Sequence, residues 1–427
     1  MKLVKMSLAA AMLMGASAYA IDNVKASGTA SLFYHTQDES VYLDNTTPDM
    51  FDKAASNADI GLSLGATADL TTGVSAGITA NALTTLGVEG TLVNGVWSDA
   101  HTATANGVAA LGAEVDDVTW VSEAWLAGTV GKTTAKAGRM ALDTPVAFSE
   151  TWGIAANTFE AAVIMNQDIP DTTLVGAYVG KSNGGDLLGN FTGLNAAGLA
   201  LTTIMAPDAT FHEFYRKGAY AAAVVNNSWK PLTVQGWYYD VQSVADAYWL
   251  QADLNIEGIL AGAQYANIDA SNFAGAGTPE DKAYALMVGY ALKDVATFKF
   301  AYSEVDDQGG LGGVGNIATA TGQSKLYTEL WWNFGAAQTG AKTYALTAEG
   351  TAGGVDLFAG YWDVEVDPFG ALNNSEITEF VVTAGKSFGP LDATAAIIYD
   401  EFDQDAAWVA GDTQDLTAFQ LYLTYNF

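Results

Sequence analysis

The sequence predicts an all-β fold: a transmembrane antiparallel β-barrel of about 18 strands, with short turns at one end and long loops at the other. Three observations carry this expectation. Hydrophobic residues make up 50% of the 427 residues, yet past the first twenty positions no apolar run approaches the roughly 20 residues of a membrane-spanning helix. The hydrophobic residues instead alternate with polar or small ones, as in a sheet with one apolar and one wet face. The segments between the alternating stretches come in two sizes, tight turns and long acidic, Gly-rich loops.

Strands are expected to begin near Ser27, Ala58, Val74, Val118, Thr133, Phe159, Thr172, Glu213, Ser228, Val244, Ile259, Lys282, Val295, Lys342, Val355, Glu376, Leu391 and Thr417. The clearest is LDATAAIIYD at 391–400, where Leu391, Ala393, Ala395, Ile397 and Tyr399 oppose Asp392, Thr394, Ala396, Ile398 and Asp400. In VATFKFAYSEV, Phe298, Phe300 and Tyr302 oppose Thr297, Lys299 and Ser303; in VADAYWLQADLNI, Tyr248, Leu250 and Leu254 oppose Trp249, Gln251 and Asp253. Tight turns are read at Thr71-Thr72-Gly73, Asn226-Asn227, Glu257-Gly258, Lys293-Asp294 and Gly389-Pro390. Long loops are read at 37–57, 86–117, 182–211, 270–281, 306–325 and 403–416. A barrel with both ends on one side of the membrane needs an even strand count. The apolar stretch KLYTELWWNF at 325–334 would make the count odd, so 306–341 is assigned to one long excursion, with Leu330, Trp331 and Trp332 packed in or on the barrel mouth.

The two ends of the chain fit this reading. MKLVKMSLAAAMLMGASAYA has the charged, apolar and small-residue layout of a secretory signal, with cleavage expected after Ala20. Residues 21–427 are then a single barrel domain. The last stretch, FQLYLTYNF, places Phe419, Leu421, Leu423, Tyr425 and Phe427 on one face, as a closing strand that pairs with the first. Tyr425 and the terminal Phe427 resemble the C-terminal signal by which the outer-membrane assembly machinery recognises its clients.

Composition excludes several functions. With 17 Lys plus Arg, two of them in the leader, against 48 Asp plus Glu, nucleic acid is not a partner. Cysteine is absent, so no disulfide holds the chain. Catalysis is disfavoured: His35, His101 and His212 have no triad-like company, no Gly-x-Ser-x-Gly occurs, and no catalytic residue is assigned. The aromatic groups Trp237-Tyr238-Tyr239, Trp331-Trp332, Tyr361-Trp362 and Tyr422/Tyr425 are read as an interfacial girdle in preference to a sugar-stacking path. The acidic groups Asp363/Glu365/Asp367 and Asp400/Glu401/Asp403/Asp405 have ligands suited to calcium but lack EF-hand spacing, so surface acidity is preferred and no metal ligand is assigned.

The segment GRMALDTPVAFSETWGIAANTFEAAVIMNQDIPDTTLVGAYVGKSN at 138–183, KLYTELWWN at 325–333, the leader with the first strand, and the terminal strand together resemble the campylobacter-type major outer-membrane porins. More distantly, the chain resembles the OprD-like porins specific for basic or small carboxylated substrates. The resemblance implies a passive diffusion channel in the outer membrane of a Gram-negative bacterium, reached by Sec-type export. It implies that a loop at about 140–158 folds inward as the constriction, with Asp143, Glu150 and Glu160 as acids and Arg139 as a cation. Arg216, Lys217 and Lys299 are the matching pore-wall bases; Lys299 has inward phase, whereas Arg216 and Lys217 have opposite phases and only one can point inward. So thin a basic ladder points to mild cation selectivity. A homotrimer is expected, in contact with outer-membrane lipid and lipopolysaccharide, without a cofactor beyond the open question of calcium. A structural or adhesive barrel is the alternative, and a barrel enzyme a more remote one.

Overall fold

The computed structural model describes residues 22–39, 49–84, 97–98, 101–102, 118–184, 209–271, 275, 277–319, 322–333, 335–367, 375–404 and 414–427. The expected leader, much of the long loops and the side chain of His101 lie outside what the structure describes. Eighteen wall strands are present: β1 Asp22–Glu39, β2 Ser56–Thr71, β3 Val74–Thr84, β4 Val118–Val130, β5 Thr133–Met140, β6 Phe159–Asn166, β7 Thr172–Ser182, β8 Ala219–Asn226 and β9 Leu232–Val241, followed by β10 Ala245–Ile256, β11 Ile259–Asp269, β12 Asp281–Leu292, β13 Ala296–Val305, β14 Ala341–Ala352, β15 Val355–Val366, β16 Ser375–Phe388, β17 Leu391–Gln404 and β18 Gln414–Asn426. Each pairs antiparallel with its sequence neighbours, and β1 pairs with both β2 and β18, so the sheet closes on itself. Closure pairs the backbone of each wall strand with a neighbour on both sides and leaves the sheet no open edge, as a lipid-embedded sheet requires. A two-residue strand, His212–Glu213, extends the ladder on β7 ahead of β8.

Alternation determines what each face meets. On β12, Ala283 and Ala285 are buried while Tyr284, Leu286 and Val288 are 43%, 54% and 58% exposed, so the apolar residues stand on the outer wall. The same holds for Leu250 on β10, Leu346 on β14 and Ile397 on β17. A continuous apolar outer surface is far beyond what a water-soluble monomer exposes and is the surface lipid solvates.

The expected turns are formed, and their chemistry explains them. Glu257 and Gly258 both have positive φ, 52° and 91°, the geometry of a two-residue hairpin whose twist matches the flanking strands. At Gly73, φ is +75° and an added Cβ would stand 2.7 Å from the Thr129 carbonyl oxygen, so glycine is required there for both reasons.

Half of the aromatic girdle assignment is corrected. Tyr238 and Tyr361 do face outward, within a loop-side belt that continues through Tyr178–Tyr220, Tyr238–Tyr248 and Tyr302–Tyr344, with ring centroids 5.0, 5.1 and 5.0 Å apart, and Tyr425 faces outward at the opposite, turn end beside Leu391. Strand alternation turns their neighbours Tyr239 and Trp362 into the buried interior, and Trp331 and Trp332 belong to no strand. Alternation also divides the second acidic group, because Asp400 is buried inside while Glu401 faces out.

Candidate pore constriction

Two connections at the loop end turn into the lumen. One is the 141–158 segment between β5 and β6; the other is the 306–340 segment between β13 and β14, here called the strap. No part of 325–333 is a strand, and Leu326 and Leu330 are buried in the interior cluster with wall residues such as Ala266 and Ala285.

The start of the strap is fixed by Asp281, at the head of β12. Its carboxylate accepts N–H groups from Gly310 (2.9 Å), Leu311 (2.8 Å) and Gly313 (2.7 Å). The run of glycines makes this wrapping feasible: a Cβ on Gly309 would lie 1.9 Å from Asp281 Oδ1. The strap then crosses the lumen. On the near wall, Gln264 donates to the Lys325 carbonyl (2.8 Å) and accepts from the Tyr327 N–H (3.0 Å), and the Tyr327 hydroxyl donates to Asp253. On the far wall, Glu379 of β16 accepts the backbone N–H groups of Trp331 (2.6 Å), Trp332 (3.1 Å) and Asn333 (2.8 Å). Trp332 stacks on His35 of β1 at 4.6 Å. A buried polar group left without partners costs about 1–3 kcal/mol, so these matched sets hold the strap in one register.

The inward loop packs against the strap through a second polar set. Asn316 accepts the Phe148 N–H (3.1 Å) and donates to the Phe148 carbonyl (3.0 Å) and to Glu150 Oε1 (3.0 Å). The Ile317 N–H donates to the Val146 carbonyl at 2.9 Å. Glu150 also receives Trp152 Nε1 at 3.1 Å and the Thr319 hydroxyl. Beside this junction Lys325 Nζ lies 2.8 Å from Asp143 Oδ1 and 4.4 Å from the centre of the Phe148 ring, with the Asp143 side chain 85% exposed.

Glu329 is the most confined carboxyl of the strap. Ser324 donates both its N–H (3.0 Å) and its hydroxyl to Oε2, whereas Oε1 has no partner among the described residues. Burial, reinforced by the nearby Glu150 and Glu379, pushes its pKa up to about 8, so it sits as the neutral acid at neutral pH.

The sequence-derived site residues therefore separate. Asp143 lies at the loop–strap junction. Glu150 is 1% exposed and binds the two segments together, facing no lumen solvent. Lys299 has inward phase, as expected, and pairs with Glu349 at 3.2 Å. Arg139 and Glu160 are cross-strand partners, and Arg139 is also opposite the exposed Ala124, so both stand on the outer wall and not in the constriction. Alternation along β5 agrees: Arg139 shares the outward phase of the exposed Ala135 and Ala137, opposite to the inward Lys136, and the ladder runs through Gly138 without a shift in register. Arg216 and Lys217 fall in the 3₁₀ turn and its cap before β8, not in the wall, and the Arg216 side chain lies outside the described residues. Lys325, Tyr327, Glu329, Asn316 and Asp281 were not singled out from the sequence. The polar positions of KLYTELWWN were the available signal, since a lipid-facing strand would not carry them.

No protein-family model matches the chain, and no curated protein matches it. The fold does match solved structures from Pseudomonas aeruginosa. OpdK with vanillate is 12% identical, with a TM-score of 0.67 over 95% of this chain and 99% of that one. OccK8 (OprE) is 15% identical, with a TM-score of 0.68 over 96% and 99%. OccK2 (OpdF) in complex with glucuronate is 14% identical, with a TM-score of 0.65 over 95% and 98%. The likeness agrees with the OprD-like part of the sequence resemblance and adds nothing to the campylobacter-type part.

Proposed function

We propose that this chain is a porin of a Gram-negative outer membrane, a water-filled channel for passive diffusion of ions and small hydrophilic solutes, with a mild preference for cations. The observation that carries the proposal is a closed barrel narrowed by two inward chain segments whose junction exposes a charged pair, Asp143 and Lys325. The rest of the lumen supports the preference. Toward the turn end, a vestibule of about 740 Å³ is lined by four acids, Asp294, Glu349, Asp356 and Asp392, against one base, Lys386. Inward bases on the wall are few: Lys299 pairs with Glu349, Lys136 lies over Trp125 at 4.3 Å in the field of Glu123, and Lys25 shares the inward phase of Phe33 near the turn end. Acidic linings favour cations.

Two of the structural neighbours hold carboxylated ligands, vanillate and glucuronate. For this chain the scarcity of inward bases argues for neutral or cationic solutes. Export through the Sec route, contact with the assembly machinery through Tyr425 and Phe427, and association as a homotrimer belong to the same proposal. The function itself is tested by adding purified protein to a planar bilayer: discrete conductance steps are expected. A strap tied to both walls also suits a structural barrel with an occluded lumen, and silence in that recording would favour this second reading.

A further inference from the structure

We propose that the outer wall at β5–β8 carries a docking site for a phosphate group of an outer-leaflet lipid. The proposal goes beyond the channel: it needs the barrel to stand in a membrane and does not depend on conduction.

The chain has only two arginines, Arg139 and Arg216, and both fall in this sector. Cross-strand pairing sets up a row, Ala124–Arg139–Glu160–Lys181–Glu213, and cross-strand partners share a face. Ala124 is exposed on the outer wall with Leu126, and Ala162 and Ile164 occupy the same phase as Glu160, so the row faces away from the lumen. Its depth is marked by the aromatic belt. The Tyr178 hydroxyl donates to the Lys217 carbonyl at 3.4 Å, and Tyr178 packs on Tyr220, which places the row at the belt on the loop side, where headgroups lie.

The geometry is that of a held but incompletely used guanidinium. Arg139 Nε and Nη2 both reach Glu160 Oε1 at 3.0 Å, Nη1 donates to the Val121 carbonyl at 3.0 Å, and the Phe211 ring stacks on the guanidinium at 4.0 Å. Lys181 Nζ stands 3.8 Å from Glu160 Oε2, beyond hydrogen-bond distance, with its side chain 46% exposed. Lys217 Nζ donates to Ser243 Oγ at 3.0 Å, and an ammonium has three donors. These groups border one depression of about 690 Å³, in which Ala124 and Ala162 leave room above the wall.

The contrast with the rest of the rim selects this sector. Loop-side outward charges on β13, β15, β16 and β17 include Glu304, Glu365, Glu376 and Glu401, and the loop-side lysines of β12 and β14 are matched, Lys282 by Glu280 and Lys342 by Asp367, both at 2.7 Å. A phosphate approaching the wall is repelled along that arc and attracted at Arg139, Lys181 and Lys217. The ligand chemistry is a phosphate monoester, and a lipid headgroup is its source because the site opens onto the lipid-facing wall.

The test uses native mass spectrometry of the detergent-purified full barrel with phosphorylated lipid A, with dephosphorylated lipid A, and with inorganic phosphate alone. Phosphorylated lipid A is expected to be retained about tenfold over the dephosphorylated form, and the double variant Lys181→Gln/Lys217→Gln is expected to lose that preference. Heat-modifiable gel mobility confirms that the variant is folded, and single Lys217→Gln, with an intermediate loss, serves if it is not. Equal retention of the two lipids, or an unchanged double variant, overturns the proposal. Occupancy by inorganic phosphate matching that of the lipid overturns the lipid as its source.

Discussion

Tyr327 of the strap occupies the space that a side chain at position 262 of β11 would need: a Cβ on Gly262 would lie 2.5 Å from the Tyr327 hydroxyl oxygen. The glycine in the wall is therefore the seat of the strap's first anchor, and the tyrosine hydroxyl completes it on Asp253. Gly262→Val is expected to evict the ring and leave the barrel itself intact. Single-channel recordings should then show larger conductance or added open-channel noise, and a trace identical to wild type would mean that the strap does not narrow the channel.

The confinement of Glu329 makes strap docking pH-dependent. The docked state keeps a proton that the undocked state releases above the ordinary glutamate value of 4.5, and it keeps that proton until about 8. In that window the undocked state binds fewer protons, so docking is strongest at or below about pH 4.5 and weakens as pH rises toward 8. Glu150 and Glu379, whose charges face Glu329, act in the same direction. Channel noise should rise between pH 5 and 8 in the wild type and stay flat in Glu329→Gln.

Adjacent positions on β14 should have opposite tolerances. Leu346 is 56% exposed on the lipid side, where a lysine costs about 2–4 kcal/mol near the membrane midplane. Thr347 faces the lumen two residues from Glu349, and a lysine there stays in water with an acid at hand. Reversible urea unfolding in lipid vesicles should show Leu346→Lys destabilised by that amount and Thr347→Lys within about 1 kcal/mol of wild type.

Closure of the barrel yields a further prediction. Phe427 exchanges both backbone hydrogen bonds with Gly28, at 2.8 and 3.0 Å, and its ring covers that glycine so closely that a Cβ there would lie 2.4 Å from it. Gly28→Val should displace the ring and, like deletion of Phe427, lower the yield of folded barrel more than the conductance of the barrels that do form. Normal surface levels in both variants would count against a role for this contact in assembly.

The wall was legible because each strand repeats one simple constraint. Lipid on one side and packed or wet interior on the other print a two-residue period, and all eighteen expected starts fall at or within a few residues of the strands observed. The site was legible only where that period applies, as for Lys299. Arg139 was misplaced because a motif at a strand end carries no phase, although the unbroken alternation of β5 puts it on the outer face with Ala137, and Glu150 because a carboxylate in an inward loop can equally face the lumen or another loop. The strap's partners, Asp253 and Gln264 on the paired strands β10 and β11 and Glu379 on the distant β16, leave no local pattern in the sequence.

Ions crossing this barrel are expected to pass the Asp143–Lys325 junction through an acid-lined lumen. The reversal potential across a KCl gradient tests it most directly, recorded on wild type, Asp143→Ala and Lys325→Ala. A mild cation preference is expected in wild type, reduced about two- to fivefold by Asp143→Ala and increased by Lys325→Ala, the range that a partly exposed charge worth up to about 1 kcal/mol allows. Strong anion preference in wild type, or the same potential in all three proteins, would contradict it.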